Sequence, residues 1–174
     1  NSGLHDQLTS GFTMEMWVNI ADLSVEPRLL QRKNVFVIYA DASGNVHFQS
    51  KNGAGITLSS ASTLSENTWH HIAVTVEDVG GGSFTAKIFI DGSEDASGTD
   101  PLYELPVVTE PTNIGNNLNM TFGLDGLIDD LRFWTTVKTE TEINTYKNVP
   151  LSGVEPDLMG YYDMNGTGTV LTDK

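Results

Sequence analysis

The sequence contains no cysteine, so disulfide bonds cannot contribute to its stability. This absence excludes the small disulfide-stapled domains that are common among secreted animal proteins, and it leaves the cellular compartment open. A chain of 174 residues does not need such crosslinks, because a domain near this size buries roughly 70% of its unfolded surface. The sequence therefore predicts a single domain over residues 1–174.

Basic residues are also scarce, with nine lysines and arginines against 23 acidic residues and a net charge of -14 at pH 7. This charge repels phosphate groups and anionic lipids, so we expect no nucleic-acid partner. A carboxylate-rich surface suits a calcium-rich exterior, because Ca²⁺ prefers hard oxygen ligands. The same acidity is also consistent with solubility alone.

Long apolar runs are absent as well, and none approaches the ~18 residues that a membrane span requires. We therefore expect no membrane insertion. The sequence starts at Asn1-Ser2-Gly3 without an initiator methionine or a signal peptide. We expect the chain to be part of a larger multidomain protein.

Short segments of strand-like pattern recur along the chain, separated by turn signals, as in a β-sandwich or barrel. Residues 12–19 alternate between apolar and other side chains, which predicts a strand with one face in the core. Residues 35–40 and 46–49 predict one hairpin. Residues 69–76 and 86–92 predict a second hairpin, which ends in an Asp-Gly turn.

The second half of the chain has fewer strand signals. Residues 93–119 are polar and punctuated by prolines, so we expect a loop with one short strand near residues 112–115. Residues 127–134 predict a strong strand, and the segment from Leu158 predicts a closing strand. Thr139 and Glu142 have the spacing of a capping box, which predicts one or two turns of helix.

Four segments in this order resemble the laminin G-like jelly-roll family of concanavalin A-type folds. They are residues 11–18 (GFTMEMWV), 69–74 (WHHIAV), 88–92 (IFIDG) and 126–134 (GLIDDLRFW). The resemblance implies an all-β fold, an antiparallel β-sandwich with one short helix. The family often begins with an apolar-aromatic strand and an acidic turn, whereas a similar stretch stands here at the end. Either this closing segment replaces the first strand in a permuted arrangement, or it begins the next module.

Asp129 is the first candidate for a metal ligand. Strand alternation places it with Leu127, Leu131 and Phe133 on a largely apolar face, where an unpaired carboxylate is costly. The family resemblance implies that Asp129 helps to hold a structural Ca²⁺, with Asp163 as a second acid and Asp125 as a further candidate. The alternative is that Asp129 accepts backbone N–H bonds or pairs with an arginine. Asp130 shares its face with Arg132 and Trp134, and for it we expect a plain surface ion pair.

The candidates for ligand binding lie in or near turns. Asn116 and Asn117 offer amide donors and acceptors of the kind that sugar hydroxyls or a peptide backbone require, although both residues also favour plain turns. Asp41 belongs to a set of loop acids that could form a binding rim or merely face solvent. Tyr39 is a candidate aromatic platform for a sugar. We expect Trp69 and Trp134 to pack into the body of the domain.

No pattern for catalysis is present. Glucanases that share this fold carry a Glu-x-Asp-x-x-Glu or Glu-x-Asp-x-Glu strand, and the chain has neither string. His70 and His71 are adjacent, so on a strand they face opposite sides and cannot chelate one ion; we expect structural roles. We therefore expect that the protein is not an enzyme.

The combined expectation is an extracellular, calcium-dependent recognition module, secreted or on the cell surface. In this reading it belongs to a bacterial adhesin or another large surface protein and binds a glycan or a cell-surface protein or peptide. Two alternatives remain open at this stage. The domain could be a carbohydrate-binding module attached to a polysaccharide hydrolase, or a structural spacer stiffened by calcium.

Overall fold

The structure is a computed structural model that describes residues 11–50, 55–100, 111–117, 119–166 and 173–174. The described residues form eleven strands and one helix. In chain order they are β1 (Gly11–Ile20), β2 (Arg28–Arg32), β3 (Phe36–Ala40), β4 (Asn45–Ser50), β5 (Thr57–Thr63), β6 (Trp69–Gly80), β7 (Ser83–Ile90), β8 (Ser93–Asp100), β9 (Thr112–Ile114), β10 (Gly126–Trp134), α1 (Glu140–Tyr146) and β11 (Leu158–Tyr162).

The strands form two antiparallel sheets. Sheet A has six strands in the order β11-β10-β1-β6-β7-β8, and sheet B has five in the order β5-β4-β3-β2-β9. All the registered strand pairs are antiparallel. The predicted β-sandwich with one short helix is confirmed.

The core lies between the two sheets. On β1, the predicted alternation places Phe12, Met14 and Met16 in the core, each at most 1% exposed. On sheet B, Leu30, Ile38 and Phe48 lie side by side on neighbouring strands and are fully buried. This two-sided apolar layer explains how the chain folds without crosslinks.

The expectation of a loop over residues 93–119 is wrong for its first part. Residues 93–100 form β8, which pairs along β7 at the edge of sheet A. The polar composition reflects an edge position with much of the strand exposed, and tertiary pairing overrides the weak strand propensity of Ser, Gly and Asp. The short strand near residues 112–115 is confirmed as β9. Residues 101–110 lie outside the described residues.

The closing segment belongs to sheet A. Strand β11 pairs with β10 in antiparallel register, for example Arg132 with Tyr161, and forms one edge of the sheet. Met159 and Tyr162 pack against the core from this edge. The segment therefore completes this sandwich instead of beginning another module.

The predicted capping box is confirmed at the start of α1. The Thr139 hydroxyl accepts a hydrogen bond from the Glu142 backbone N–H, and the Glu142 carboxylate accepts one from the Thr139 backbone N–H. Ile143 packs this short helix against Ala73 and Phe89 on the outer face of sheet A. The helix therefore covers part of the sheet face that points away from the core.

Asp95 joins the edges of the two sheets. Its carboxylate on β8 accepts backbone hydrogen bonds from Ala61 and Ser62 on β5. Burial would raise the pKa of Asp95, but the hydrogen bonds from Ser62 and Ala61 outweigh burial and lower it. β5 belongs to sheet B and β8 to sheet A, so the two strands are not paired by backbone hydrogen bonds. The ionised Asp95 carboxylate thus links them.

We expect Asp95→Asn to lower the free energy of unfolding by about 1–2 kcal/mol at neutral pH, the scale of a charge-assisted hydrogen bond. Because the folded pKa is lowered, the contribution of Asp95 is present above its unfolded pKa and is lost as pH falls through the folded pKa. Denaturant unfolding at a series of pH values measures both effects. The control Glu77→Gln, at an exposed position on β6, should change little; an equal loss in both variants would contradict this role of Asp95.

Candidate ligand-binding surface and metal site

A β-bulge on strand β10 changes the predicted position of Asp129. Glu15 pairs with Arg132 and Trp17 pairs with Asp129, so two residues, Asp130 and Leu131, lie opposite the single residue between Glu15 and Trp17. Asp130 adopts the left-handed conformation with φ 49°. In one common type of β-bulge the first of the two residues on the bulged strand has this conformation. The extra residue shifts the alternation of side chains by one position.

The shift corrects the expectation that Asp129 and Leu127 share the core face with Leu131 and Phe133. Ile128 packs against the core in its place, while Leu127 is 61% exposed. Asp129 is partly buried beside the bulge, and one of its carboxylate oxygens accepts a hydrogen bond from the backbone N–H of Asp130. One alternative of the sequence analysis, a backbone N–H partner, is therefore present.

The carboxylate of Asp129 nevertheless lies in an unfavourable environment for its charge. Burial is the largest effect and raises the pKa of Asp129, and the negative charges of Asp130 and Asp163 raise it further. The hydrogen bond from the Asp130 N–H and the positive charge of Arg132 lower it, but by less. Asp163, the predicted second acid, is thus close enough to act on Asp129. It also forms an ion pair of 2.7 Å with Lys174, which lowers its pKa.

The other predicted acids have separate surroundings. Asp125 is exposed in the loop before β10, and its backbone carbonyl accepts a hydrogen bond from Ala21. Asp130 pairs with Arg132 at 3.4 Å, but the expectation of a surface ion pair is wrong, because the Arg132 side chain is 1% exposed. Asp130 also accepts a 2.6 Å hydrogen bond from the Tyr161 hydroxyl. That bond and burial, the larger cause, raise the pKa of Tyr161 to about 12. Over the described ranges, no three His, Asp or Glu side chains are arranged as a metal site.

Tyr39 and Asp41 belong to one continuous row of stacked side chains on the outer face of sheet B. The Arg28 guanidinium lies between the rings of Phe122 and Tyr39, 4.4 Å and 4.2 Å from their centroids. The other face of Tyr39 stacks on His47 at 4.6 Å, and His47 Nε2 lies 2.9 Å from a carboxylate oxygen of Asp41. We call these five residues the stacked row.

This arrangement changes the role expected for Tyr39. Arg28 covers one face of its ring and His47 covers the other, so neither face is free for a sugar ring to stack on. The row instead presents ring edges and polar groups in fixed positions. One carboxylate oxygen of Asp41, Oδ1, accepts hydrogen bonds from the backbone N–H groups of Ser43 and Asn45. Burial would raise the pKa of Asp41, but its bonds with His47 and these N–H groups lower it.

The loop with Asn116 and Asn117 is adjacent to the stacked row. Phe122 belongs to the same loop, and its carbonyl accepts a hydrogen bond from the Arg28 backbone N–H. Asn117 bonds to Thr121 through both its amide oxygen and its amide nitrogen, and Asn116 accepts a bond from the Asn117 N–H. These amides thus shape the loop, which is the plain-turn alternative, and a ligand role for them stays a prediction.

The two adjacent histidines and two of the tryptophans also take defined places. His70 pairs with Asp91, whereas His71 is buried and pairs with Glu15, so the two rings serve different sites as expected. Trp134 is 5% exposed, which confirms its predicted burial. The same expectation for Trp69 is wrong: it is the first residue of β6 and is 42% exposed.

Three members of the stacked row, Arg28, His47 and Phe122, were not among the predicted site residues. His47 alternates with buried Val46 and Phe48, so its outward direction was readable from the strand pattern. Arg28 lies in the unpredicted strand β2, and Phe122 comes from a distant loop. No local pattern indicates that the two would meet.

The comparisons with known proteins agree with this architecture. A putative carbohydrate-binding protein from Bacteroides ovatus matches with a TM-score of 0.77 and 18% identity, over 94% of this chain and 49% of that one. Domain 4 of an extracellular arabinanase from Geobacillus stearothermophilus, solved with arabinotriose, matches with a TM-score of 0.62 and 20% identity, over 80% and 68% of the two chains. At these identities the likeness shows the fold.

Two sequence comparisons complete the picture. The adhesion G-protein coupled receptor V1 of Danio rerio is 25% identical over 112 residues, which are 63% of this chain and 2% of the receptor. This chain thus spans only a small part of that relative, and about half of the Bacteroides protein. A laminin G-type family model, described as the concanavalin A-like lectin/glucanases superfamily, matches residues 2–144. The chain therefore belongs to the concanavalin A-like lectin/glucanases superfamily.

Proposed function

We propose that this domain is a non-catalytic module that recognises glycans through the exposed edge of the stacked row. The observation that carries the proposal is the row itself: five side chains from three strands, one turn and one loop, each fixed by its neighbours. Rigid polar groups bind a ligand at a lower entropic cost than free side chains do. The sugar hydroxyls would meet donors and acceptors that are already in place.

The balance of polar groups in the row suits neutral or weakly charged sugars. Arg28 supplies N–H donors, and Asp41 supplies acceptors at the other end. Among the described residues, Arg28 donates to the Glu26 backbone carbonyl and forms no ion pair. We propose that its remaining N–H groups donate to the ligand. The arabinotriose bound to the related arabinanase domain gives independent support for a glycan as the ligand.

Calcium dependence is the second part of the proposal. Asp129 and Asp163 supply hard carboxylate oxygens, and the raised pKa of Asp129 marks a place where added positive charge would be favourable. Two carboxylates do not complete a calcium shell, so backbone carbonyls and water would have to supply the other ligands. Asp125 remains a further candidate. When bound, Ca²⁺ would neutralise these acids and tie β10 to the end of β11.

The wider context follows from the proposed activity. A glycan-recognition domain with this acidity suits an extracellular protein, either an adhesin or another large surface protein, and a secreted hydrolase that carries it as an accessory module is the alternative. Over the part of the chain that the structure describes, no helix has the length and hydropathy needed to cross a membrane.

The first test is a glycan array with the wild-type domain, followed by calorimetric titration of the strongest ligand. We expect Arg28→Ala and His47→Ala each to weaken binding by about tenfold or more, because each removes a polar group and loosens the row. The matched control is Lys87→Ala, which removes an exposed cation from sheet A and should bind as the wild type does. No reproducible glycan ligand, or unchanged binding in both row variants, would contradict the proposal.

The second test is thermal unfolding after chelation, with and without added calcium. A site that binds only the folded state stabilises by about 2.7 kcal/mol at a hundredfold excess over its dissociation constant. We expect this gain in the wild type and its loss in Asp129→Asn. A wild type that gains no stability from calcium, or an equal gain in Asp129→Asn, would contradict the metal site.

The same variant gives an internal check without calcium. Because the pKa of Asp129 is raised, its ionisation opposes folding above the unfolded pKa, and this cost disappears as pH falls below that value. Asp129→Asn removes the cost. In chelator at neutral pH the variant should therefore be at least as stable as the wild type.

A further inference from the structure

The neighbouring carboxylate of Asp41 fixes the position of the proton on the His47 ring. His47 Nε2 lies 2.9 Å from an Asp41 carboxylate oxygen. Burial raises the pKa of Asp41, but its hydrogen bonds with His47 and the backbone lower it by more, so this carboxylate is ionised at neutral pH. An ionised carboxylate only accepts hydrogen bonds, so the proton of the neutral His47 ring lies on Nε2. The other ring nitrogen, Nδ1, is then an acceptor.

Nδ1 of His47 has no hydrogen-bond partner within the described part of the chain, and other atoms do not enclose it. Across the Tyr39 ring, Arg28 presents the opposite chemistry, because a guanidinium only donates. The guanidinium lies 4.2 Å from the Tyr39 centroid, and the centroid of the His47 ring lies 4.6 Å away on the other side. The row therefore carries an acceptor and a donor on the two sides of one aromatic ring.

A single hydroxyl group does not reach both sides of this ring. Hydrogen bonds require about 3 Å between donor and acceptor atoms, and the Tyr39 ring separates Arg28 from His47. A secondary amide reaches both sides, because in the trans form its N–H and C=O point in opposite directions. Over the edge of Tyr39, the N–H of such an amide meets Nδ1 and its C=O meets the guanidinium. The order and the spacing of the groups thus match an amide.

We propose, on the basis of the glycan recognition proposed above, that the stacked row selects sugars that carry an acetamido group. The acetamido N–H donates to His47 Nδ1, and the acetamido carbonyl oxygen accepts from the Arg28 guanidinium. A hydroxyl in the same place fills only one of these two positions. The acetamido group is also uncharged, which suits a row that carries one positive charge, on Arg28, and one negative charge, on Asp41.

The same geometry makes the binding of an acetamido group depend on pH. Protonation of His47 puts an N–H at Nδ1, which then faces the ligand N–H instead of accepting from it. The groups around the His47 ring are Arg28, Tyr39, Asp41, the loop residue Glu26, which acts on Tyr39, and Ser59 opposite it on β5. Burial, the largest effect, raises the pKa of Tyr39, so its hydroxyl stays neutral. Of these residue types, histidine is the one that changes charge between about pH 5 and 8.

The first test needs no ligand and is therefore independent of the proposed function. Ring-nitrogen chemical shifts from two-dimensional NMR report which nitrogen of a histidine carries the proton. At about pH 8 we expect the His47 tautomer with the proton on Nε2. A ring with the proton on Nδ1 would donate where an acceptor is required, and this result would overturn the proposal.

The second test compares matched disaccharides by calorimetric titration at neutral pH. Diacetylchitobiose differs from cellobiose, and N-acetyllactosamine from lactose, only by acetamido groups in place of hydroxyls. We expect the acetamido member of at least one pair to bind about tenfold more tightly, the scale of two added hydrogen bonds. Equal affinities within both pairs, or binding only of glycans without acetamido groups, would overturn the inference and leave glycan recognition intact. A domain that binds no glycan at all would contradict the proposed function itself.

A pH series and two variants assign the preference to His47. The preferred acetamido sugar should lose about fivefold or more in affinity between about pH 7.5 and pH 5. His47→Phe keeps a flat ring beside Tyr39 but removes Nδ1, so it should abolish both the acetamido preference and its dependence on pH. The control His70→Gln removes the histidine that pairs with Asp91 on sheet A and should keep both. A preference that persists in a folded His47→Phe domain would overturn the assignment.

Discussion

The buried ion pair of Glu15 and Arg132 is the interaction on which the packing of α1 on the outer face of sheet A depends. Arg132 is 1% exposed and is the largest fully buried side chain among the described residues. It donates to the Tyr146 carbonyl at 3.0 Å and to the Val149 carbonyl at 2.9 Å, just where α1 ends. A buried charge is tolerated only when it is paired and hydrogen-bonded. The cation thus fixes the end of the helix and the segment that follows it.

The position of Arg132 depends in turn on the bulge in β10. Without the extra residue, strict alternation would continue from Asp129 through Leu131 and place these side chains on one face. The left-handed Asp130 absorbs one residue, so that Ile128 and Leu131 both face the core while Arg132 faces α1. Aspartate tolerates this conformation better than most residues do. This one β-bulge therefore determines both where Arg132 meets Glu15 and which surroundings Asp129 has.

The sequence predicted the parts of the fold that repeat with a regular period. Alternation along β1 and the capping box at Thr139 are local signals, and the structure confirms both. Strand β8 has no such signal because its polar residues are stabilised only by pairing with β7. The stacking of Phe122 on Arg28 joins segments that are far apart in the chain. The pattern of one sequence does not reveal such contacts, and the bulge at Asp130 breaks the periodicity on which the placement of Asp129 relied.

The two outer faces of the sandwich thus have different characters. Sheet B carries the stacked row, which we assign to glycan recognition, and sheet A carries the buried pair of Glu15 and Arg132 beneath α1. The most direct measurement is to map, by amide chemical shifts, where the strongest glycan ligand binds on the labelled domain. The proposed function predicts shifts confined to β2, β3, β4 and the loop around Phe122. Shifts confined to the outer face of sheet A would contradict it.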